Sequence, residues 1–290
     1  MKKVCLFVMS HFIWIPLALS AQQVDIYTYD VLPPYAYHNE QGELTGVYIE
    51  IVKTAISRMP GYIPKLHVVP WSRAKKYAES GRAFAILPPY FHAHDWLTDK
   101  LPKRPYIWPY SLPLYTQQDS VVCNAKSLEE REYHYPGDFE GLSFVMWRGD
   151  GRAGEAFNRM IEEGKIEIKL VDSIKDTIRL LAYGRIDCTV TSRLPFAWYL
   201  NQFMKTEKHQ EIDQSKRIKL KAVSVVSTNE GYLGYTDIEA EKNFPFKKDF
   251  AIKFDIEIYK MRKSGEIHEI VNRFVDLELI ENIPLSSPLK

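Results

Sequence analysis

Cysteine is scarce, with three in 290 residues, so no disulfide framework can carry this fold. Glycine is also scarce at 14 residues, without repeats or heptads, which excludes fibrous and coiled-coil architectures. An excess of either charge is missing too. The 38 Lys and Arg meet 37 Asp and Glu for a formal net charge of +1, whereas a nucleic-acid binder carries a basic excess over at least one domain. Beyond the N-terminus no apolar run approaches the about 20 residues that a membrane span needs. Gly-x-Ser-x-Gly, P-loop and His-Glu-x-x-His patterns are absent. What remains is a globular composition, 46% hydrophobic and 26% charged, rich in aromatics with 18 Tyr, 14 Phe and 6 Trp.

The N-terminus predicts a secretory signal peptide over 1–21. Lys2 and Lys3 give the basic start, Val4 to Leu19 the interrupted apolar stretch, and Ala18 to Ala21 a small-residue cleavage zone. Export permits disulfides, and Cys123 and Cys188 both lie in short β-like runs that one sheet can hold. The local sequence leaves a bond between them and two buried thiols both open.

Internal similarity points to two α/β units in tandem. A helical pattern from Trp71 ends at Gly81-Arg82 and leads into the apolar run Ala83 to Leu87. The same plan returns where Ser173 caps a helix with Asp176 three residues on, Ile174, Ile178 and Leu181 mark one face, and Gly184-Arg185 precedes the strand Ile186 to Val190. Upstream of each lies a strand, a loop and a helix: Val24 to Thr28 before Val47 to Met59, and Leu142 to Trp147 before Ala153 to Glu162. Two closing helices follow, with Phe250, Phe254, Ile258 and Met261 on one buried face and Ile267, Ile270, Val271 and Phe274 on another.

Four blocks then resemble the extracellular solute-binding proteins of the polar amino acid type. They are Tyr29 to Tyr35 with Gly42-Glu43-Leu44-Thr45-Gly46; Trp71 to Leu87; Arg104 to Tyr115; and Gly184-Arg185-Ile186-Asp187 with Gly265 breaking the closing helices. The resemblance implies an α/β, two-lobed type II periplasmic-binding-protein fold, each lobe a mixed sheet flanked by helices, joined by a two-strand hinge. It places lobe one at 22–118 and 227–290, lobe two at 119–226, and the ligand in the cleft between them. Hinge closure around the ligand would follow.

By resemblance, Arg104 grips a ligand carboxylate, a task suited to the planar guanidinium fork. Tyr35, Trp71 and Tyr90 cover the ligand as an apolar wall or cation–π face. Pro88 stands where relatives carry a small hydroxyl residue and offers no N–H. In lobe two, Trp147, Arg148, Asp150 and Arg152 occupy a loop opening a helix, where N–H groups attract anions. Ser192 falls where amino-acid binders place an aspartate for the ligand ammonium, so Asp150 or Asp30 would have to replace it. Arg104, Arg148 and Arg152 together favour a more anionic ligand, such as a dicarboxylate or an aromatic acid. His92, His94 and Asp95 lack the further ligands that a metal needs.

These residues lead us to expect a monomeric periplasmic solute-binding protein that captures a small amino-acid-like or carboxylate ligand for an ABC-type importer. No metal, cofactor or nucleic acid is expected. The alternatives are a periplasmic enzyme on the same scaffold, cyclohexadienyl-dehydratase-like, with Asp30, Glu43 or Asp150 as acid or base, and a sensory receptor docking to a membrane signalling protein.

Overall fold

The computed structural model describes residues 21–90, 96–99, 101–205, 219–275 and 280–281. The expected signal peptide falls almost wholly outside them, as do His92, His94 and Asp95.

Strand β1 (Gln22–Thr28) buries Val24, Ile26 and Thr28 in alternation, the period of two that a half-buried strand requires. Three short strands follow, β2 (Val31–Leu32), β3 (Ala36–His38) and β4 (Leu44–Thr45), forming a small antiparallel sheet. The chain enters helix α1 (Val47–Ser57) through Gly46 at φ 126°, where a Cβ would strike the carbonyls of Pro34 and Tyr35. Glycine alone tolerates both constraints. Then come β5 (Tyr62–Val68), α2 (Trp71–Glu79), β6 (Ala85–Ile86), β7 (Ile107–Tyr110) and β8 (Tyr115–Asn124).

The second unit repeats the plan as β9 (Ser143–Trp147), α3 (Gly154–Glu162), β10 (Glu167–Val171), α4 (Ile174–Ala182) and β11 (Cys188–Ser192). The Ser173 hydroxyl accepts the Asp176 N–H at 3.2 Å, making the predicted cap of α4. Helix α5 (Arg193–Lys205), strands β12 (Leu220–Gly231) and β13 (Gly234–Thr236), helices α6 (Lys247–Ser264) and α7 (Glu266–Phe274), and strand β14 (Ile280–Glu281) complete the described chain's main elements.

Two mixed sheets define the lobes. One has the order β5-β1-β6-β13-β7 and the other β10-β9-β11-β8-β12-β14. The antiparallel strands β8 and β12 pair from Tyr115↔Gly231 through Asp119↔Ser227 to Leu220↔Asn124, and they carry the chain from the first sheet into the second and back. The tail, grouped by sequence with lobe one, instead sends Ile280 and Glu281 to pair with Leu220 and Lys221 in the second sheet. That long-range pairing has no local sequence signal.

The first core forms where α6 buries Phe250, Phe254, Ile258 and Met261, and α7 buries Ile270 and Val271. The rings of Phe84 and Phe250 meet edge to face with centroids 5.0 Å apart. Each such side chain contributes about 1.5–3 kcal/mol through burial. A second core gathers Phe139, Phe144 and Phe157. There Cys123 and Cys188 are register partners on β8 and β11 with Cα atoms 4.0 Å apart, and they form a disulfide. Among the described residues no helix is long and apolar enough to cross a membrane.

Candidate functional site

Alternation along β8 places Tyr115, Gln117 and Asp119 on one side of the strand. Residues of lobe one converge there. Tyr35, in the turn between β2 and β3, stacks on Tyr48 of α1 with ring centroids 5.1 Å apart and lies 6.1 Å from Tyr115. The Gln117 side-chain amide donates to the Tyr48 hydroxyl at 3.2 Å and also to the Tyr90 hydroxyl. Burial pushes the Tyr35 and Tyr48 hydroxyls well above their ordinary range. Burial also raises Tyr90 and Tyr115 to about 12, with Arg193 partly opposing the shift at Tyr115. All four stay neutral at physiological pH, so each is a donor and an acceptor.

The Tyr35 hydroxyl is the unsatisfied member. The residue is 1% exposed and its oxygen has no hydrogen-bond partner among the described residues. Ser192 of the second lobe faces it, outside ordinary hydrogen-bond geometry, and the Asp119 charge reaches it. A buried polar atom left in this state costs about 1–3 kcal/mol.

Asp119 is the centre of the second lobe's contribution. It is the register partner of Ser192 on β11 and of Ser227 on β12, and directly opposed residues share a face. Its Oδ2 accepts the Ser227 hydroxyl at 2.9 Å, and its Oδ1 accepts Nη1 of Arg152 at 3.1 Å. The Arg152 Nε in turn lies 2.7 Å from both Asp150 oxygens. Arg193, the first residue of α5, is 3% exposed and lies close to Tyr115; burial holds its pKa below the usual guanidinium value. Arg152 thus bridges the two carboxylates Asp119 and Asp150.

Of the residues singled out from sequence, Tyr35, Tyr90, Asp150, Arg152 and Ser192 are brought together around Asp119. Trp71 belongs to an adjoining aromatic row, 5.4 Å from Tyr29 and 6.1 Å from Trp96. Tyr29 in turn bears electrostatically on Tyr90. Pro88 is buried two residues before Tyr90, and Trp147 ends β9 half exposed.

Three others stand apart. Asp30 pairs with Nδ1 of His38 at 2.9 Å beside the small sheet, so it is not drawn to the cluster as an ammonium partner. The Arg148 Nε meets Asp172 at 3.0 Å in an exposed pair. Arg104 is exposed on a loop, where its N–H donates to the Thr98 hydroxyl at 3.2 Å and its carbonyl accepts the Thr98 N–H at 2.9 Å. Ser111, seven residues on in the same block, accepts the Leu233 N–H at 2.9 Å and donates to the Leu112 carbonyl at 2.8 Å, bracing the chain beside β13. With Arg148 and Arg152 both paired to carboxylates, the three-arginine argument for a strongly anionic ligand no longer holds.

Tyr48, Gln117, Asp119 and Arg193 join the site without having been expected from the sequence. The alternation of Tyr115, Gln117 and Asp119 beside the expected hinge crossing is the signal that points to β8. Pairing Asp119 with Ser192 requires the strand register.

No family model and no curated protein sequence matches the chain. Solved structures do. Substrate-binding domain 2 of GlnP from Lactococcus lactis, in an open conformation, superposes with a TM-score of 0.64 at 13% identity, covering 87% of this chain and 95% of its own. The L-cystine solute receptor of Neisseria gonorrhoeae, unliganded and open, gives 0.61 at 15%, covering 87% and 92%. An ancestral cationic amino acid solute-binding protein gives 0.58 at 11%, covering 88% and 96%. At such identities the likeness defines the fold, and the chain has the two-lobed α/β fold of the type II periplasmic binding proteins.

Proposed function

We propose that this protein is an exported solute-binding protein that captures a small amino-acid-like or carboxylate solute between its lobes and presents it to a membrane importer. The carrying observation is the Tyr35 hydroxyl, buried without a partner where lobe one meets Ser192 and Asp119 of lobe two. A solute bridging these groups would supply that hydrogen bond and tie the lobes together across β8 and β12. The fold shared with the L-cystine receptor and the cationic amino acid binder supports the class of solute. The apolar N-terminal run and the Cys123–Cys188 disulfide support export to an oxidising compartment. The protein acts as a monomer in this reading.

An acid–base enzyme on this scaffold has less support. Asp150 is clamped by Arg152, Asp30 is held by His38, and Glu43 accepts from the Asn39 side chain at 3.3 Å on an exposed turn. A thermal-shift screen of the full chain against the twenty L-amino acids, L-cystine and small carboxylic acids tests the proposal. At one hundred times its Kd, a ligand specific for the folded state adds about 2.7 kcal/mol of stability. A melting temperature unmoved by every compound would overturn it.

A further inference from the structure

Helix α6 turns Phe250, Phe254, Ile258 and Met261 into the core of lobe one. Its outer face is apolar as well. Ile252, Ile256 and Tyr259, spaced three or four residues apart and so side by side on the helix, are 54%, 47% and 56% exposed. Leu112, whose N–H donates to Asp255 of the same helix at 2.8 Å, brings a fourth partly exposed apolar side chain alongside. A surface helix ordinarily has one apolar stripe with polar residues opposite it. Helix α6 has two, and the fold accounts for the inner one alone.

The charges around the outer stripe indicate what it fits. The helix carries six basic side chains against three acidic ones, in a chain whose totals are 38 and 37. Each of the three acids is already engaged: Asp249 with Lys253 at 2.7 Å, Glu257 with Lys260 at 2.6 Å, and Asp255 with the Leu112 N–H. Lys248 and Lys263 are exposed and have no acidic partner among the described residues. They continue the spacing of the stripe, four residues before Ile252 and four after Tyr259. An apolar row about 22 Å long therefore ends in an ammonium at each end. The Lys263 ammonium lies over the Tyr259 ring, 5.7 Å from its centroid.

We propose that this face of α6 rests on an anionic lipid surface. Ile252, Ile256 and Leu112 enter the headgroup boundary, Tyr259 sits at that boundary with its ring inward, and Lys248 and Lys263 meet lipid phosphates. A second copy of the chain fits the stripe less well. Two-fold packing of stripe on stripe sets Lys248 against Lys263 when antiparallel and each lysine against its own copy when parallel, like charge on like in both cases. The proposal uses none of the residues at the Tyr35–Asp119 junction, so it stands apart from the solute-binding reading.

Flotation of the chain purified after export tests it, with vesicles of phosphatidylcholine alone and of phosphatidylcholine mixed with an equal part of phosphatidylglycerol. The unaltered protein is expected to favour the anionic vesicles by about tenfold or more at low salt, and to lose most of that preference at about 1 M salt, where the Debye length is about 3 Å. Ile252→Ser with Ile256→Ser, and separately Lys248→Glu with Lys263→Glu, should each weaken binding by about tenfold or more. All these proteins share one N-terminus, so the differences between them read the stripe. The melting temperature and its response to solute should not move.

An unaltered protein that ignores the anionic vesicles, or floats equally with both kinds, overturns the proposal, as does binding that survives both pairs of substitutions. A dimer in sedimentation that Ile252→Ser with Ile256→Ser dissolves would give the stripe to a second copy. Vesicles ignored while the same substitutions lower solute uptake by cells would give it to an acidic protein face. Either result removes the lipid assignment and leaves the solute-binding reading intact.

Discussion

Ser192 and Asp119 are register partners on adjacent antiparallel strands, so a hydroxyl at the end of β11 and a carboxylate in the middle of β8 present themselves to the same junction between lobes. A one-residue slip of β8 would turn Asp119 to the opposite face and replace it with Gln118 or Ser120. The disulfide between Cys123 and Cys188 lies in the same strand pair, four register positions away, and pins the pairing on which the site depends.

Tyr35→Phe should separate stability from binding. Removing a buried hydroxyl that has no partner relieves its desolvation cost, so the melting temperature of the ligand-free protein should hold or rise, by up to about 1 kcal/mol in stability. Affinity for the solute should fall. Calorimetric melting with and without ligand measures both, and lower ligand-free stability at unchanged affinity would place Tyr35 among structural residues alone.

Reduction of the disulfide should destabilise the second lobe by about 2–4 kcal/mol, given the long loop closed between Cys123 and Cys188 at a separation of 65. Denaturant midpoints with and without reductant, and for a Cys123→Ser, Cys188→Ser double variant, should agree. No change in either would mean that the sheet pairing needs no covalent support.

Asp187 sets an acid limit. Burial opposes its ionisation, but the Ser127 hydroxyl at 2.5 Å, the Ser143 hydroxyl at 2.6 Å and the Ser143 N–H at 2.9 Å outweigh it and hold the pKa below the usual carboxylate value. A lowered folded pKa gives stability that is present above the unfolded pKa and lost as pH falls through the folded one. Asp187→Asn should therefore lower stability by about 2 kcal/mol at neutral pH, and the gap to the parent should shrink on acidification from about pH 4. A gap that is constant with pH would contradict this account of Asp187.

Much of the fold was legible because local rules wrote it. The Ser173 cap, the two Gly-Arg turns at Gly81 and Gly184, and the four apolar residues from Phe250 to Met261 each announce an element by spacing alone. The aromatics Tyr35 and Tyr90 and the loop from Asp150 to Arg152 were singled out by the family resemblance and not by spacing. What stayed hidden depends on pairing between distant segments. Arg148 looked free until Asp172 came beside it, Arg104 looked like a ligand clamp until its loop turned to solvent, and Asp119 gained meaning only from the strand opposite. Charge and hydrogen-bond partners are properties of register, which a single sequence does not spell out.

Gly46→Ala should damage fold and site together. The residue sits at φ 126° with the Pro34 and Tyr35 carbonyls against it, so a methyl group costs at least about 1–3 kcal/mol and displaces the turn that carries Tyr35. A lower melting temperature with weaker binding is expected. An unchanged affinity would show that the position of Tyr35 does not govern the site.

The most direct measurement is a crystal structure of the full chain with whichever screened compound stabilises it most. The account predicts ligand density bounded by Tyr35, Tyr90 and Ser192, with a polar ligand atom about 2.5–3.0 Å from the Tyr35 hydroxyl. Density on an outer face of either lobe, with the Tyr35 hydroxyl still unpartnered, would contradict it.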